Sequence, residues 1–237
     1  CLMSCLESSV TMGQHTFRGD IVTGSIRDLF VPGWATDYRV FGLEKATSSQ
    51  SGLMVDRVFP ETFVEDCQAL LACFDLSFGR VTGLSLGGFL AVALAQVVPV
   101  ETLVLVGVRP SYDLVGLDEV RRQLGVNKQA FLKSFYRQCF SDTASWRLFR
   151  STLLKDYVAL FSLESLLSGL DALGELTITA SQLVGQKVVF CHGDQDQVAP
   201  LALVKPLMDE VVGSECHVWE GKGHLCGVSL GVGAFSI

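Results

Sequence analysis

Short apolar runs rich in β-branched residues alternate with amphipathic stretches along the chain. The apolar runs predict β-strands at positions 27–33, 53–59, 79–85, 101–108, 186–193 and 215–221. Most of these runs are apolar at nearly every position, as in strands that are buried on both faces. The amphipathic stretches predict helices at positions 37–48, 61–74, 86–98 and 200–212. Because strands alternate with helices, the sequence predicts an α/β fold with a mostly parallel central sheet flanked by helices.

The region 110–180 breaks this alternation, because it contains helical patterns and no convincing strand. A helical insertion after the strand at 101–108 predicts a cap over the carboxyl edge of the sheet, where ligands bind in open α/β folds. A helical subdomain that serves stability alone is the alternative. We therefore expect an α/β core of residues 1–109 and 181–237 and a helical cap of residues 110–180.

One serine stands between glycines where an apolar strand passes into an apolar helix. The stretch Gly83-Leu84-Ser85-Leu86-Gly87 fits the pattern G-x-S-x-G. A serine on a sharp strand-to-helix turn needs small neighbours, because a Cβ there would collide with the adjoining backbone. The pattern predicts Ser85 as a nucleophile, although glycines also occur in turns that are merely tight.

A serine nucleophile needs a base and a carboxylate that orients the base. The loop after the strand at 186–193 holds Asp194 and Asp196, and the glycine-rich loop after the next strand holds His224 directly after Gly223. The order Ser, Asp, His is typical of this strand-turn-helix architecture. We predict His224 as the base. Asp194 and Asp196 are both candidate acids at this point, and Asp113 is a third.

The other three histidines are predicted to be structural. His15 lies in a polar stretch near the start of the chain, so we expect an exposed side chain. His192 ends a strand, so its ring is expected to brace the following loop. His217 lies in the middle of a strand and is expected to point to one face of the sheet.

Acyl transfer also requires hydrogen-bond donors for the oxyanion that develops in the transition state. The backbone N–H of Leu86, directly after the serine, is one predicted donor. The loop "FVPGWATD" at 30–37 is expected to supply the second, the N–H of Trp34, because Gly33 lets the backbone approach closely. An ordinary Pro-Gly turn is the alternative interpretation of this loop.

Taken together, Gly83-Leu84-Ser85-Leu86-Gly87, "HGDQDQVAP" and "GKGH" resemble the α/β-hydrolase superfamily across nearly the whole chain. In that family the triad acid is the aspartate four residues after the histidine of H-G-x-x-D-x-x-x-P, which here is Asp196. The resemblance implies a serine hydrolase that forms an acyl-enzyme and uses no metal or cofactor. Pro32-Gly33 departs from the His-Gly often found in the oxyanion loop, but a backbone donor does not depend on the missing imidazole.

Composition limits the classes of partner. The chain has 237 residues, of which 49% are hydrophobic, so we expect one domain with a sizeable core. A net charge of −7 argues against a nucleic-acid partner. No apolar run reaches the roughly 18 residues of a membrane helix, and the first residues lack the basic stretch of a signal peptide. The eight cysteines form no CxxC pair and lie in apolar segments, which predicts buried, reduced thiols and a cytoplasmic location.

The predicted cap carries a charge of its own. Residues 119–155 contain eight basic and two acidic residues, which leaves 10 basic and 23 acidic residues elsewhere. A basic cap on an acidic body favours an anionic substrate or an acidic partner, although solvated helix faces explain the same pattern. We predict contacts to substrate or partner by five cap residues, namely Arg121, Arg122, Phe135, Arg137 and Trp146.

The stretches "PGWATDYRVF" and "FLKSFYRQCF" and the compact length resemble the carboxylesterases of biotin synthesis. Those enzymes cleave the methyl ester of pimeloyl attached to acyl carrier protein, a small and very acidic partner. Three alternatives stay open. They are a general short-chain carboxylesterase or thioesterase, a non-hydrolytic elimination enzyme of the menaquinone-synthesis type, and a ligand-binding protein without turnover.

Overall fold

The computed structural model describes residues 9–41 and 52–225. Eight strands form one sheet: β1 (Ser9–Met12), β2 (His15–Arg18), β3 (Ile26–Val31), β4 (Gly52–Val55), β5 (Ser77–Leu84), β6 (Val100–Val106), β7 (Lys187–Gly193) and β8 (Glu215–Trp219). Their order across the sheet is β1-β2-β4-β3-β5-β6-β7-β8. Strand β1 pairs antiparallel with β2, and β2 pairs antiparallel with β4. All the other neighbouring pairs, from β4–β3 to β7–β8, are parallel. The predicted mostly parallel sheet is confirmed.

In the part of the chain that the structure describes, seven α-helices accompany the sheet: α1 (Phe63–Phe74), α2 (Leu86–Ala95), α3 (Leu114–Gln138), α4 (Thr143–Thr152), α5 (Leu154–Leu160), α6 (Leu163–Glu175) and α7 (Leu201–Glu210). The helices predicted at 61–74, 86–98 and 200–212 therefore form, each slightly shorter than its pattern. Of the helix predicted at 37–48, the described part forms only a short 3-10 helix, Tyr38–Phe41. Positions 42–48 lie outside the described residues.

The centre of the sheet is buried on both faces, as its apolar strands require. Helix α2 is buried almost all round, because it lies directly against β5, β6 and β3. A Cβ on Gly87 would overlap the carbonyl oxygens of Val31 and Pro32, so only glycine allows this close approach. The packing of α2 therefore fixes the turn that precedes it, and that turn carries Ser85.

Helices α3 to α6, which we call the cap helices, lie between β6 and β7 in the chain. The carboxylate of Asp113 caps α3 by accepting from the N–H of Gly116 at 2.6 Å. Buried aromatic rings of Tyr136, Phe149 and Tyr157 pack together within the cap helices, with centroids 5.2–5.8 Å apart. The division of the chain into a core and a cap unit stays a prediction.

Three side-chain hydrogen bonds join the cap helices and the loop after β3. The indole N–H of Trp34 donates to the carbonyl of Leu166 at 2.8 Å. The hydroxyl of Tyr136 donates to the carbonyl of Ala35, and the hydroxyl of Tyr157 donates to Asp37 at 2.7 Å. Because these partners are buried, the bonds hold the cap helices against one edge of the sheet.

The amino-terminal hairpin was missed by the sequence analysis, and the expected exposure of His15 is wrong. His15 in β2 is fully buried, and its Nδ1 donates to Oδ2 of Asp66 in α1 at 2.7 Å. Its Nε2 accepts from the N–H of Phe59 at 2.9 Å, so the neutral ring links the hairpin, α1 and the loop after β4. Strands of four residues with weak alternation are hard to distinguish from a polar loop.

Burial lowers the pKa of His15 against the opposing effect of Asp66. Because the unfolded side chain has a pKa near 6.5, the unfolded state takes up a proton first as the pH falls below that value, and stability is lost there. We expect His15→Gln to lose less thermal stability than the wild type between pH 7.5 and 5.5, as measured by Tm. His217→Gln is the control, because His217 lies partly exposed in β8. Equal Tm losses in His15→Gln and wild type would contradict this assignment.

Three of the five described cysteines are buried as predicted, namely Cys67, Cys139 and Cys191. Cys73 and Cys216 are exposed, which corrects the expectation for those two positions.

In the described part of the chain, no single helix has the length and apolar composition to cross a membrane. Helices α5 and α6 meet both conditions only when they are taken together, and the pair is bent by 88°. The cytoplasmic location stays a prediction.

Candidate active site

Ser85 lies on a strained turn between β5 and α2. Its backbone angles, φ 52° and ψ −116°, fall outside the regions that a residue with a Cβ favours. The turn is held on both sides, because the N–H of Ser85 donates to Val106 at 2.8 Å and its carbonyl accepts from Gly88 at 2.9 Å. Strain of this kind is sustained only where the surroundings over-determine it, which is typical of functional sites.

His224 pairs with Asp196 across two neighbouring loops. The distance from Nδ1 of His224 to Oδ2 of Asp196 is 2.8 Å, and both side chains are buried. The carboxylate only accepts when ionised, so Nδ1 carries the hydrogen and Nε2 is left as an acceptor. The other oxygen of Asp196 accepts from the N–H groups of Val198 and Ala199, each at 2.8 Å. This pair has the tautomer that a general base requires.

The two other candidate acids are engaged elsewhere. Asp194 accepts from the N–H of Gly221 at 2.7 Å and thereby closes the loop that leads to His224. Asp113 caps α3 on an exposed turn. Of the three carboxylates considered from the sequence, the structure brings only Asp196 to His224.

The charge on Asp196 is maintained in a buried setting. Burial alone raises the pKa of this carboxyl, but His224 and the N–H of Ala199 outweigh that effect and hold the pKa below its usual value. His192 lies beside the pair, with Nε2 donating to the carbonyl of Ala199 at 2.6 Å. Burial lowers the pKa of His192, so it stays neutral near pH 7. The prediction that His192 braces its loop is confirmed.

The loop that carries His224 is held by the end of α3. The N–H of Leu225 donates to the carbonyl of Cys139 at 3.1 Å, and the hydroxyl of Ser141 donates to Gly221 at 2.6 Å. A Cβ on Gly223 would lie 3.0 Å from the N–H nitrogen of Ser141, so the two segments are in direct contact. The position of His224 therefore depends on the cap helices as well as on the sheet.

The end of β6 lies between Ser85 and the His224–Asp196 pair. Val106, its last residue, accepts the N–H of Ser85, and Gly107 follows it with a φ of +57°. A Cβ on Gly107 would lie 3.1 Å from Nδ1 of His224 and 3.5 Å from Oδ2 of Asp196. The structure thus brings the three residues chosen from the sequence to one short stretch of the sheet edge.

Leu86 and Trp34 place two backbone N–H groups beside the serine. Leu86 is the first residue of α2, where backbone N–H groups have no acceptor within the helix. Trp34 follows Gly33 in a tight turn closed by the N–H of Thr36, and a Cβ on Gly33 would lie 3.2 Å from Cβ of Ser85. The partial positive charge of a helix N-terminus adds to the attraction for an anion at this point.

A cavity of about 30 Å³ adjoins these two residues. Its walls come from the loop after β3, the segment after β4, the start of α2 and the cap helices with their connecting segment. The lining residues include Trp34, Arg57, Phe59, Leu86, Phe161 and Leu166. The strand predicted at 53–59 ends at Val55, and its last three positions, Arg57, Val58 and Phe59, form part of this wall instead.

The predicted cap residues fall into different environments. The ring of Phe135 contacts Trp34 edge to face at 5.0 Å, next to the cavity. Trp146 packs on Phe140 and Phe149 inside the cap helices and does not line the cavity. Arg137 donates to the carbonyl of Phe140 at 2.8 Å and lies over Trp146, which stabilises the end of α3.

Arg121 and Arg122 are paired with cap carboxylates. Arg121 contacts Asp118 at 2.8 Å and Asp171 at 2.7 Å. Arg122 binds Glu119 through two nitrogens, at 2.6 and 2.7 Å. These pairs neutralise much of the charge that the sequence assigned to the amino-terminal half of α3.

Tyr112 is a site residue that the sequence analysis missed. It lies in the loop between β6 and α3, where its phenol interacts with the side chain of Ser85, and it packs on Phe89 with ring centroids 6.1 Å apart. Burial raises its pKa to about 12, so the phenol is neutral near pH 7. The loop that carries Tyr112 contains no recognisable sequence motif, so nothing in the sequence marks this position.

Solved structures with the same fold include several enzymes. An esterase from Exiguobacterium antarcticum has a TM-score of 0.76 at 15% identity, over 92% of this chain and 92% of its own. A thermophilic esterase from Thermogutta terrifontis has a TM-score of 0.75 at 15% identity, over 94% and 93% of the two chains. A bromoperoxidase from Bacillus anthracis has a TM-score of 0.74 at 18% identity, over 92% and 93%. A search of curated protein sequences gave no significant match.

The match to a protein-family model extends over most of the chain. The model describes the alpha/beta hydrolase family and covers residues 23–230. That range contains the turn of Ser85, the loop of Asp196 and the loop of His224. The chain therefore belongs to the alpha/beta hydrolase family.

Proposed function

We propose that this protein is a serine carboxylesterase that works through an acyl-enzyme. The observation that carries the proposal is the 2.8 Å contact between His224 and Asp196, set beside a serine on a strained turn with φ 52°. A buried imidazole whose Nδ1 faces an ionised carboxylate is the arrangement that activates a serine hydroxyl.

In the proposed mechanism, Oγ of Ser85 attacks the ester carbonyl while Nε2 of His224 takes its proton. Asp196 stays ionised and stabilises the imidazolium that forms. The tetrahedral intermediate expels the alcohol, which leaves with the proton from His224. Water then attacks the acyl-enzyme with His224 again as base, and the carboxylic acid and Ser85 are released. Atoms and charges balance in both halves of the cycle.

The N–H groups of Trp34 and Leu86 are the proposed donors to the oxyanion. Two features support this role. Both residues line the cavity and adjoin Ser85, since Leu86 follows it in the chain and Trp34 follows Gly33, which packs against it. In addition, the first N–H of α2 lacks an intrahelical acceptor. Loss of one such donor in other enzymes costs about 10²–10³ in kcat. Backbone donors cannot be removed by side-chain substitution, so Ser85 and its partners are the better experimental targets.

The experiment is a hydrolysis screen of p-nitrophenyl esters from two to twelve carbons, with Ser85→Ala in parallel. Hydrolysis that disappears in Ser85→Ala supports the proposal, and the preferred chain length reports the size of the acyl site. Hydrolysis that persists in Ser85→Ala contradicts it, and so does an absence of hydrolysis across the series.

For the natural substrate, we propose an acyl methyl ester such as that of pimeloyl on acyl carrier protein. The acidic carrier would dock on a basic groove of about 430 Å³ in the cap helices, which we define by Lys133, Arg150 and Lys155. Leu154 and Val158 line the same groove. Unlike Arg121 and Arg122, its three cations form no ion pair with any described residue, so they favour an acidic partner.

We expect the combined change Lys133→Glu, Arg150→Glu and Lys155→Glu to lower kcat/KM for the carrier-linked ester about 10-fold or more. The reason is loss of electrostatic attraction, whose effect on association spans about 10–10³-fold. Hydrolysis of a free methyl ester should stay within about two-fold. Arg122→Glu is the control, because its charge is already paired with Glu119. Equal losses on the two substrates would contradict docking at this groove.

A further inference from the structure

The cavity beside the proposed oxyanion donors contains one cation, Arg57, among the residues that line it. Arg57 follows β4, so it lies at the carboxyl edge of the sheet, as Ser85 does. It is partly buried, and its guanidinium lies over the ring of Phe59 at 6.0 Å. The rest of the wall is made largely of apolar side chains and backbone.

Arg57 also lines an outer cleft of about 220 Å³, so it stands where the inner cavity meets this wider opening. The outer cleft contains three arginines and two aspartates. Arg18 pairs with Asp56 at 3.2 Å, and Arg39 pairs with Asp37 at 2.8 Å. Of the described residues that line the cleft, Arg57 is then the one arginine without a carboxylate partner.

Nearby carboxylates are committed to other partners. Besides Arg39, Asp37 accepts the hydroxyl of Tyr157, and Asp156 also binds Arg39 at 3.1 Å. Glu61 accepts the hydroxyl of Ser168 in α6. Among the residues that the structure describes, none forms an ion pair with Arg57. A partly buried guanidinium without a counter-ion is a binding group for a carboxylate, which it can hold through two parallel hydrogen bonds.

We infer that Arg57 binds a carboxylate carried by the substrate itself, so that the preferred free substrates are half-esters of short dicarboxylic acids. The ester carbonyl lies at Ser85 with its oxygen towards Trp34 and Leu86, and the acyl chain runs along Phe59 to Arg57. This inference rests on the proposed serine esterase activity, but it does not depend on the carrier hypothesis.

The test compares methyl half-esters with uncharged partners of the same shape. Monomethyl succinate, glutarate and adipate are each paired with the ester in which a carboxamide replaces the free carboxylate, and methanol release gives kcat and KM. For the wild type we expect at least one half-ester to exceed its carboxamide partner about 10-fold or more in kcat/KM. A charged hydrogen-bonded pair supplies an effect of this size.

Arg57→Met should remove that preference, mainly by raising KM for the half-ester, and leave the carboxamide within about two-fold. Arg57→Lys should restore part of it, because a lysine keeps the charge without the two-pronged geometry. Arg147→Met, an exposed cap arginine, is the matched control and should behave as the wild type.

The inference is overturned if the wild type shows no preference for any half-ester, or if Arg57→Met weakens both members of a pair equally. These outcomes differ from failure of the esterase proposal. In that case neither member of a pair would be hydrolysed, or hydrolysis would survive in Ser85→Ala.

Discussion

Replacing Ser85 with alanine is expected to lower kcat/KM for ester hydrolysis by about 10⁴- to 10⁶-fold, the range found when a triad nucleophile is removed. The fold should be retained, because the turn is held by backbone hydrogen bonds to Val106 and Gly88. Alanine also lacks the hydroxyl that contacts Tyr112. Hydrolysis rates with the best p-nitrophenyl ester and a thermal melt of each variant measure the two effects.

The control for this change is Ser151→Ala. Ser151 is exposed on α4 and donates to the carbonyl of Leu148 in its own helix, so activity should stay within about two-fold of the wild type. If Ser85→Ala keeps more than about a tenth of wild-type activity while Tm is unchanged, Ser85 is not the nucleophile.

Asp196→Asn is expected to lower kcat by about 10⁴-fold, as removal of the orienting charge does in a related triad. An asparagine can present its NH₂ to Nδ1 of His224, which favours the tautomer with hydrogen on Nε2 and blocks that nitrogen as a base. The buried imidazolium that forms during attack also loses its counter-charge. Steady-state kinetics on the same ester measure the effect.

Asp194→Asn is the matched control, two residues away in the same loop. Its amide oxygen can still accept from Gly221, the contact at 2.7 Å, so we expect a loss of less than about 10-fold. If Asp194→Asn is the more damaging change, Asp194 holds the role assigned to Asp196.

The elements nearest the site were the ones that could be predicted from the sequence. A serine between glycines at a strand-to-helix boundary predicts a strained turn, and the structure has Ser85 there with a φ of 52°. The choice between Asp194 and Asp196 needed the family resemblance, because loop spacing alone does not say which carboxylate points to His224. Backbone geometry then separates them, since Asp194 is held by Gly221 and Asp196 contacts His224.

Features that depend on long-range contacts could not be predicted in this way. The polar sequence around His15 predicts a surface position. Its burial results from the pairing of β2 with β4 and from its contact with Asp66, which lies 51 positions away. The pairing of Arg121 with Asp171 crosses 50 positions and two helices. Arg57 was assigned to a strand, and its place at the cavity depends on that strand ending early at Val55.

Covalent labelling shows whether Ser85 is an activated nucleophile. The full chain is treated with a fluorophosphonate, its intact mass is measured, and the modified peptide is sequenced by mass spectrometry. We expect one adduct per chain, located on Ser85 and absent from Ser85→Ala, with labelling slowed strongly in His224→Ala. An adduct on another residue, or no adduct in a chain that is folded by thermal melt, would contradict it.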